Sequence, residues 1–459
     1  MNHPVLKKIM VIALLTGLLM IPLIMIEGIV YERSGYRDLA RQSISASWTG
    51  EQQVLGPLLV IPYREGYTKS VWDSKNERYV IKKHTKKGNL LIAPAVLKID
   101  GEVSSESRKR GIYSVPVYHS DVTVSGQFNF KKMEEYLKSS DHDIDWQDAY
   151  LSVVISDVRG IEDQPLLEWQ GQVYTFVPDA RLEEMSNGMH APIGKIEVEK
   201  GAVDFSFNLR LNGMELLKFS PVGESTRVRL RADWPDPSFI GRYLPSSREI
   251  SGEGFTAAWN LSSFSSNMPQ FIESCQGGQC SGLIQDSFGV KLFNSVDVYQ
   301  QSERSVKYAL MFIGLTFVCF FLYEIMKGLR LHPMQYLLVG LGLSIFYLLL
   351  ISLSEHMAFL YAYMIATFSS TALIGFYISS VLNSFKNGGL ITAALLILYG
   401  MLYGILSSED NSLLMGSLLI FGVLSLVMVV TRRVDWYAVT DDLSFKIGSR
   451  VDPDQIASS

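Results

Sequence analysis

Cysteine is scarce in this chain, with three in 459 residues. A framework of several disulfides therefore cannot be what holds it together. Histidine is nearly as rare, with seven, and no two histidines stand at the spacing a metal site uses. HExxH, GxSxG, SxxK and Walker sequences are all missing. "GMHAPIGK" at 188–195 is a near miss to a phosphate loop, with one residue too many before its Gly-Lys, and it reads as a turn. "SSDHDIDWQD" at 139–148 holds four Asp but lacks the central Gly and closing Glu of an EF-hand, so it reads as a solvated acidic loop. No catalytic residue, metal or cofactor is expected. A basic excess is missing as well. With 41 Lys and Arg against 46 Asp and Glu, net −5, nothing favours a nucleic-acid partner.

What the chain does have is apolar sequence, unevenly spread. The first run, 9–30, follows Lys7 and Lys8 and lacks a small-residue cleavage site. About 22 residues at about 1.5 Å each cross a hydrocarbon core of about 30 Å, so it predicts an uncleaved anchor rather than a signal peptide. Pro22 is a place for it to kink, and Glu27 sits near its far end. Five more runs follow at 305–326, 334–353, 357–380, 389–406 and 412–431. Their connections are short, and the spans must be helical, because a bilayer offers the backbone no water. "GMLYG" at 400–404 is a GxxxG match that suits close helix packing. Cys319, inside an apolar run, reads as an inert buried residue. Charged residues cluster at the ends of the spans, which weakens a proton-coupled transporter.

Charge sets the orientation. Lys7 and Lys8 hold the N-terminus in the cytoplasm. Lys327 and Arg330, then Lys386, then Arg432 and Arg433, mark the other cytoplasmic connections. The turns carrying Glu355 and His356, and Glu409 and Asp410, fall on the opposite side. These four are candidate polar residues of the external face, with solvated turns as the plainer reading. Glu324, beside Tyr323, is expected at the inner interface.

Residues 31–304 read as a water-soluble insert. Apolar and polar side chains alternate at 121–130, 150–160, 202–213 and 226–234, the period of strands with one buried face. Hairpins are expected at Asp100-Gly101 and at Gly201. A helical interlude is expected at 130–140. The stretch after the anchor should continue as a helix with Tyr36, Leu39, Ala40 and Ile44 on one face. "KKHTKK" at 82–87 and "RKR" at 108–110 are basic clusters, read as solvated loops or strand edges. Cys275 and Cys280 in "CQGGQC" enclose two glycines. A disulfide is the leading reading if the compartment is oxidising; free thiols are the alternative.

The fold class is thus an α+β membrane protein with six transmembrane helices, one N-terminal and five C-terminal. A large β-rich periplasmic domain is inserted after the first helix. The expected boundaries are 1–30, 31–304, 305–431 and a cytoplasmic tail at 432–459.

Several longer stretches resemble one family. "SISASWTGEQQVLGPLLVIPY" at 43–63, "RKRGIYSVPVY" at 108–118 and "SFIGRYLPSSREISGEGFTAAW" at 238–259 are similar to the CreD family of bacterial inner-membrane proteins. So are the run from "VDVYQQSERSVKYALMF" to "SLSEHMAF" and the closing "TRRVDWY". The resemblance implies a multi-pass inner-membrane protein linked to cell-envelope integrity and to control by a CreBC-type two-component system. It transfers no catalytic residue, and the disulfide is not part of it. The expected role is a non-enzymatic scaffold or sensor in the lipid bilayer. Its expected partners are periplasmic or envelope proteins, lipid or glycan. The alternatives are a transporter or channel for an envelope metabolite, or a membrane enzyme acting on lipid or glycan.

Overall fold

The computed structural model describes residues 4–73, 78–130, 142–194, 196, 201–292, 298–327, 331–407 and 412–432. The helical interlude expected at 130–140 and the turn at Glu409 and Asp410 lie outside them. An N-terminal apolar helix, a β-rich domain and five C-terminal apolar helices follow one another, and among the described residues six helices are long and apolar enough to cross a membrane. The chain divides into two compact units. One comprises Met1–Asp38 with Val296–Ser459, the other Leu39–Ser295.

Helix α1 (Pro4–Ser47) runs unbroken through Pro22. Its last turns belong to the β-rich unit, where Ala40 and Ile44 are buried while Leu39 is exposed. Of the face expected for this stretch, Ala40 and Ile44 form the packed part.

The β-rich unit begins with β1 (Gln52–Asp73), β2 (Arg78–Ile92), β3 (Val96–Arg110) and β4 (Tyr113–Asn129). Short strands follow: β5 (His142–Ile144), β6 (Tyr150–Ile155), β7 (Leu166–Trp169), β8 (Gln172–Thr175), β9 (Val177–Pro178) and β10 (Gly188–Pro192). Then come β11 (Ala202–Met214), β12 (Leu216–Phe219), β13 (Ser225–Ala232), β14 (Pro237–Gly241), β15 (Ser247–Ser251) and β16 (Gly254–Ser262). Helices α2 (Met268–Gln276) and α3 (Gly282–Gln285) precede β17 (Phe288–Leu292).

These strands make two sheets. One runs β14-β17-β12-β1-β6-β10-β9, with β2 and β5 also on β1; the other runs β15-β16-β13-β3-β4-β11-β7-β8. Both contribute to one large apolar core, beside a smaller cluster of Ile44, Val115, Val117 and Met214. Rings from the two sheets meet in the large core. Phe239 and Phe288 of the first lie 5.8 and 5.4 Å from Trp259 of the second, and each such pair adds about 0.5–1.5 kcal/mol to the burial itself.

Alternation holds where one face is wet. On β13, Thr226, Val228, Leu230 and Ala232 are buried between exposed Arg227, Arg229 and Arg231. It disappears on β6, which is buried throughout in the middle of its sheet, as a strand covered on both faces must be. Two turn readings are corrected. Asp100-Gly101 is the interior of β3, paired on both sides. Gly101 is there because a Cβ would stand 2.8 Å from the Leu230 side chain of the neighbouring strand. "GMHAP" at 188–192 is strand β10, locked between β6 and β9, with Met189 and Ala191 in the core. Gly201 has φ +72°, a turn conformation; most of the segment before it is outside the described residues.

The membrane unit contains α4 (Val298–Lys327), α5 (Pro333–Ser354), α6 (Phe359–Val381), α7 (Phe385–Ser407) and α8 (Ser412–Thr431). The N-terminal part of α1 presents Leu19, Leu23, Ile26 and Val30 as a buried stripe at helical spacing. Leu19 fits over Gly340 of α5, where a Cβ would meet its methyl at 2.2 Å. Helix contacts use small and polar residues, as packing within lipid favours. The Ser370 hydroxyl donates to the Gly342 carbonyl at 3.1 Å, and the Tyr363 hydroxyl to the Tyr399 carbonyl at 2.7 Å. The GxxxG match is not used this way. Nothing within the described chain lies within 4 Å of a Cβ added at Gly400 or Gly404. Large apolar residues such as Phe368, Phe376 and Phe421 point outward, the reverse of a water-soluble bundle.

Candidate functional site

Two carboxylates mark the polar ends of the membrane unit. Glu324, at the end of α4, is 5 % exposed. It forms an ion pair with Lys8 of α1 and accepts from the Leu331 N–H at 3.0 Å and the Tyr336 hydroxyl at 2.9 Å. The expected interfacial glutamate is therefore buried, and its charge is answered by a cation 316 residues away in sequence. Lys8 also donates to the Leu331 carbonyl at 3.2 Å. Removing one member of such a buried pair costs about 3–5 kcal/mol, because the other charge is left desolvated.

Glu355 follows the C-terminal end of α5, with its side chain 8 % exposed. The Arg33 guanidinium of α1 lies 3.7 Å away, and the Tyr299 hydroxyl donates at 3.3 Å. Arg37 stacks over the Tyr299 ring at 5.6 Å. His356, next in the chain, is exposed, with Nδ1 3.1 Å from the Ser352 carbonyl. The structure thus gives two neighbouring candidates different settings: one carboxylate held inward, one imidazole facing out. Cys319 is exposed on α4, which corrects its reading as buried. An apolar run reads as core only if the outward face of a membrane helix is forgotten.

Beside the Glu324 cluster lies a small apolar cleft of about 20 Å³ lined by Phe320, Tyr323, Tyr336, Val339, Tyr377 and Ile378 among others, which is room for about one water molecule.

In the β-rich unit the most connected polar groups sit where α1 ends. Arg159 donates to the Ala46 and Ser45 carbonyls at 2.8 and 3.1 Å, capping the helix C-terminus with a cation. Asp157 binds that guanidinium at 2.9 and 2.6 Å and accepts from the Gly50 N–H at 2.8 Å. The Arg159 contact first, with help from the Gly50 N–H, holds the Asp157 carboxyl down at about 2. Gln52, fully buried, donates to Thr49 Oγ1 and to the carbonyls of Asp157 and Asn212 at 3.0, 2.9 and 2.8 Å. Trp48 lies under the Arg108 guanidinium, 3.5 Å from the ring centre. "SWTGEQ" is therefore a joint between helix and sandwich. Nothing in the sequence tied Gln52 or Trp48 to partners more than 50 residues away.

Cys275, on α2, is bonded to Cys280 just beyond it, and both are buried. Glu184 accepts from the Cys280 N–H at 3.3 Å. Near it Asp179, Arg181 and Glu184 all take positive φ. His190 donates from Nδ1 to the Asp179 carbonyl at 2.5 Å, and burial pushes its pKa down. Among the described residues no three His, Cys, Asp or Glu side chains converge as metal ligands.

Among the described residues, one apolar helix before a β-rich unit and five after it, each long enough to cross a membrane, define a multi-pass membrane protein. Comparison sharpens the class. Residues 4–437 match the family model described as inner membrane protein CreD. The chain is 37% identical over 421 residues to the inner membrane protein CreD of Escherichia coli K12, covering 92% of this chain and 91% of that one. The chain belongs to the CreD family of inner membrane proteins. Solved structures of an M1 zinc metallopeptidase from Deinococcus radiodurans match 37% of this chain at 9% identity and a TM-score of 0.18, too low to bear on fold or activity.

Proposed function

We propose that this protein is a non-enzymatic envelope-maintenance scaffold. Both termini lie in the cytoplasm, residues 31–304 lie in the periplasm, and the β-rich unit binds envelope components. The supporting observation is that the buried charges of the membrane unit are already consumed. Glu324 is answered by Lys8, Tyr336 and a backbone N–H, and Glu355 by Arg33 and Tyr299. A transport pathway needs ionisable groups that change partners; these serve to hold α1. The positive connections on one side and the acidic ones on the other support the orientation. In-cell photocrosslinking from the exposed faces of β13 and β15 should capture envelope proteins or glycan. Failure to capture any partner from either face, with the chain present at normal levels, refutes the scaffold. A tag inserted after Gly252, in the open turn between β15 and β16, should be reachable from the periplasm.

A further inference from the structure

Strands β1 and β2 continue beyond the sandwich as a two-stranded arm, in antiparallel register from Leu59↔Ile92 to Asp73↔Arg78. Among the described side chains of its distal half, nearly all are exposed. Between residues 64 and 87 the sequence holds eight Lys and Arg against three Asp and Glu, in a chain that is net −5. The register sorts the side chains. Trp72 pairs with Tyr79 and Ser70 with Ile81, so Trp72, Tyr79 and Ile81 share one face at the distal end. They are 51, 69 and 72 % exposed, and the Trp72 and Tyr79 rings meet edge to face at 5.0 Å. On the same face, Lys83 follows opposite Thr68, and Lys87 opposite Arg64. Lys69 and Lys86 stand on the reverse face. Lysines on a sheet edge have an ordinary explanation, since they discourage edge-to-edge pairing. That explanation fails for an exposed Trp-Tyr-Ile cluster, which would promote the association that edge lysines prevent.

We infer that this arm docks on an anionic lipid surface, with the aromatic end at the boundary between headgroups and acyl chains and the lysines among the phosphates. The order of side chains fits that occupant. Trp and Tyr favour the membrane interface, and interfacial elements sink about 5–10 Å. Tyr79 and Lys83 are four residues apart, about 13 Å along a strand, which places the cation near phosphate level when the ring is inserted. An acidic protein or glycan would use the lysines but gives no reason for a Trp-Tyr-Ile end backed by charge. The inference deepens the proposed scaffold role by naming one component that the β-rich unit touches.

The test uses the full chain in nanodiscs, with Ser70→Cys carrying an environment-sensitive dye in a Cys319→Ser background. Disc lipids are varied from zwitterionic to partly anionic, and separate vesicles of the same compositions are added. The expected result is a blue shift, with quenching by nitroxide-labelled lipid, that grows with anionic fraction and fades with salt. An effect in the disc itself identifies the protein's own bilayer; an effect only on adding vesicles identifies a second one. Lys83→Glu/Lys86→Glu/Lys87→Glu should weaken the response at least about 100-fold, at about fivefold per lysine near an anionic surface. Trp72→Ser/Tyr79→Ser should abolish the blue shift. All five positions are exposed, so folding is not at stake. A dye that stays water-exposed at every composition overturns the inference, as does a response indifferent to lipid charge. If crosslinks to envelope proteins persist while lipid binding is absent, the scaffold reading stands and this one falls.

Discussion

Replacing Asp157 by Asn should destabilise the β-rich unit in a pH-dependent way, and the direction is fixed by the geometry. The carboxylate is held by the Arg159 guanidinium and the Gly50 N–H, with its pKa near 2 instead of 3.8. A folded-state pKa below the unfolded one means that the unfolded chain binds the proton more tightly. The stabilisation is therefore complete above about pH 4 and is lost as pH falls toward 2. The full difference would correspond to about 2.5 kcal/mol. Arg159 is half exposed, at 51 %, so solvent screening reduces the expected contribution to about 1 kcal/mol. Six of the seven tryptophans lie between residues 39 and 295, so tryptophan emission follows this unit. At pH 6 the variant should melt about 2 °C below the parent, and the gap should close between pH 4 and 2. A gap of constant size across that range would refute the electrostatic account and leave only a lost hydrogen bond.

Four further outcomes follow from the same contacts. Gln52→Leu, which strands the Asp157 and Asn212 carbonyls, should cost about 1–3 kcal/mol in thermal unfolding of the β-rich unit; an unchanged melt would show that water replaces the amide. Glu324→Ala, leaving Lys8 and Tyr336 without their acceptor, should cost about 3–5 kcal/mol in unfolding of the detergent-solubilised chain, and Glu324→Gln less; equal losses would argue against an ion pair. Gly340→Val should force Leu19 away from α5 at about 1–3 kcal/mol, read as faster proteolysis of α1. Cys275→Ser should cost about 2 kcal/mol, as expected for a short closed loop, and a thiol-reactive polymer should modify the parent pair only after reduction.

The parts of the fold legible in the sequence are those where one side chain meets one environment. Each apolar run announced a helix because length and hydropathy suffice for a bilayer. β11 and β13 announced themselves because one face is wet. The alternation read at 150–160 found the strand but not its setting, because β6 is buried on both faces. Asp100-Gly101 was misread because the glycine that suits a hairpin turn is also the residue that lets Leu230 come close to a strand interior. The pairing of β1 with β12 and of β3 with β13 is parallel and spans more than a hundred residues, and no local pattern encodes that. The same holds for the polar pairs. Lys8, Glu324 and Glu355 each read as a charge near the end of a span, and only the folded chain shows which charge answers which.

Helix α1 is pinned to its bundle by Lys8 and by Arg33. Twenty-five residues at about 1.5 Å each separate these anchors by about 37 Å. The two contacts therefore fix the length of α1 that is held against the other helices. A membrane much thinner than a hydrocarbon core of about 30 Å plus its interfaces must make the helix tilt, or drag one ion pair out of its place. Changes in acyl-chain length would then act on this chain as mechanical load at two glutamates.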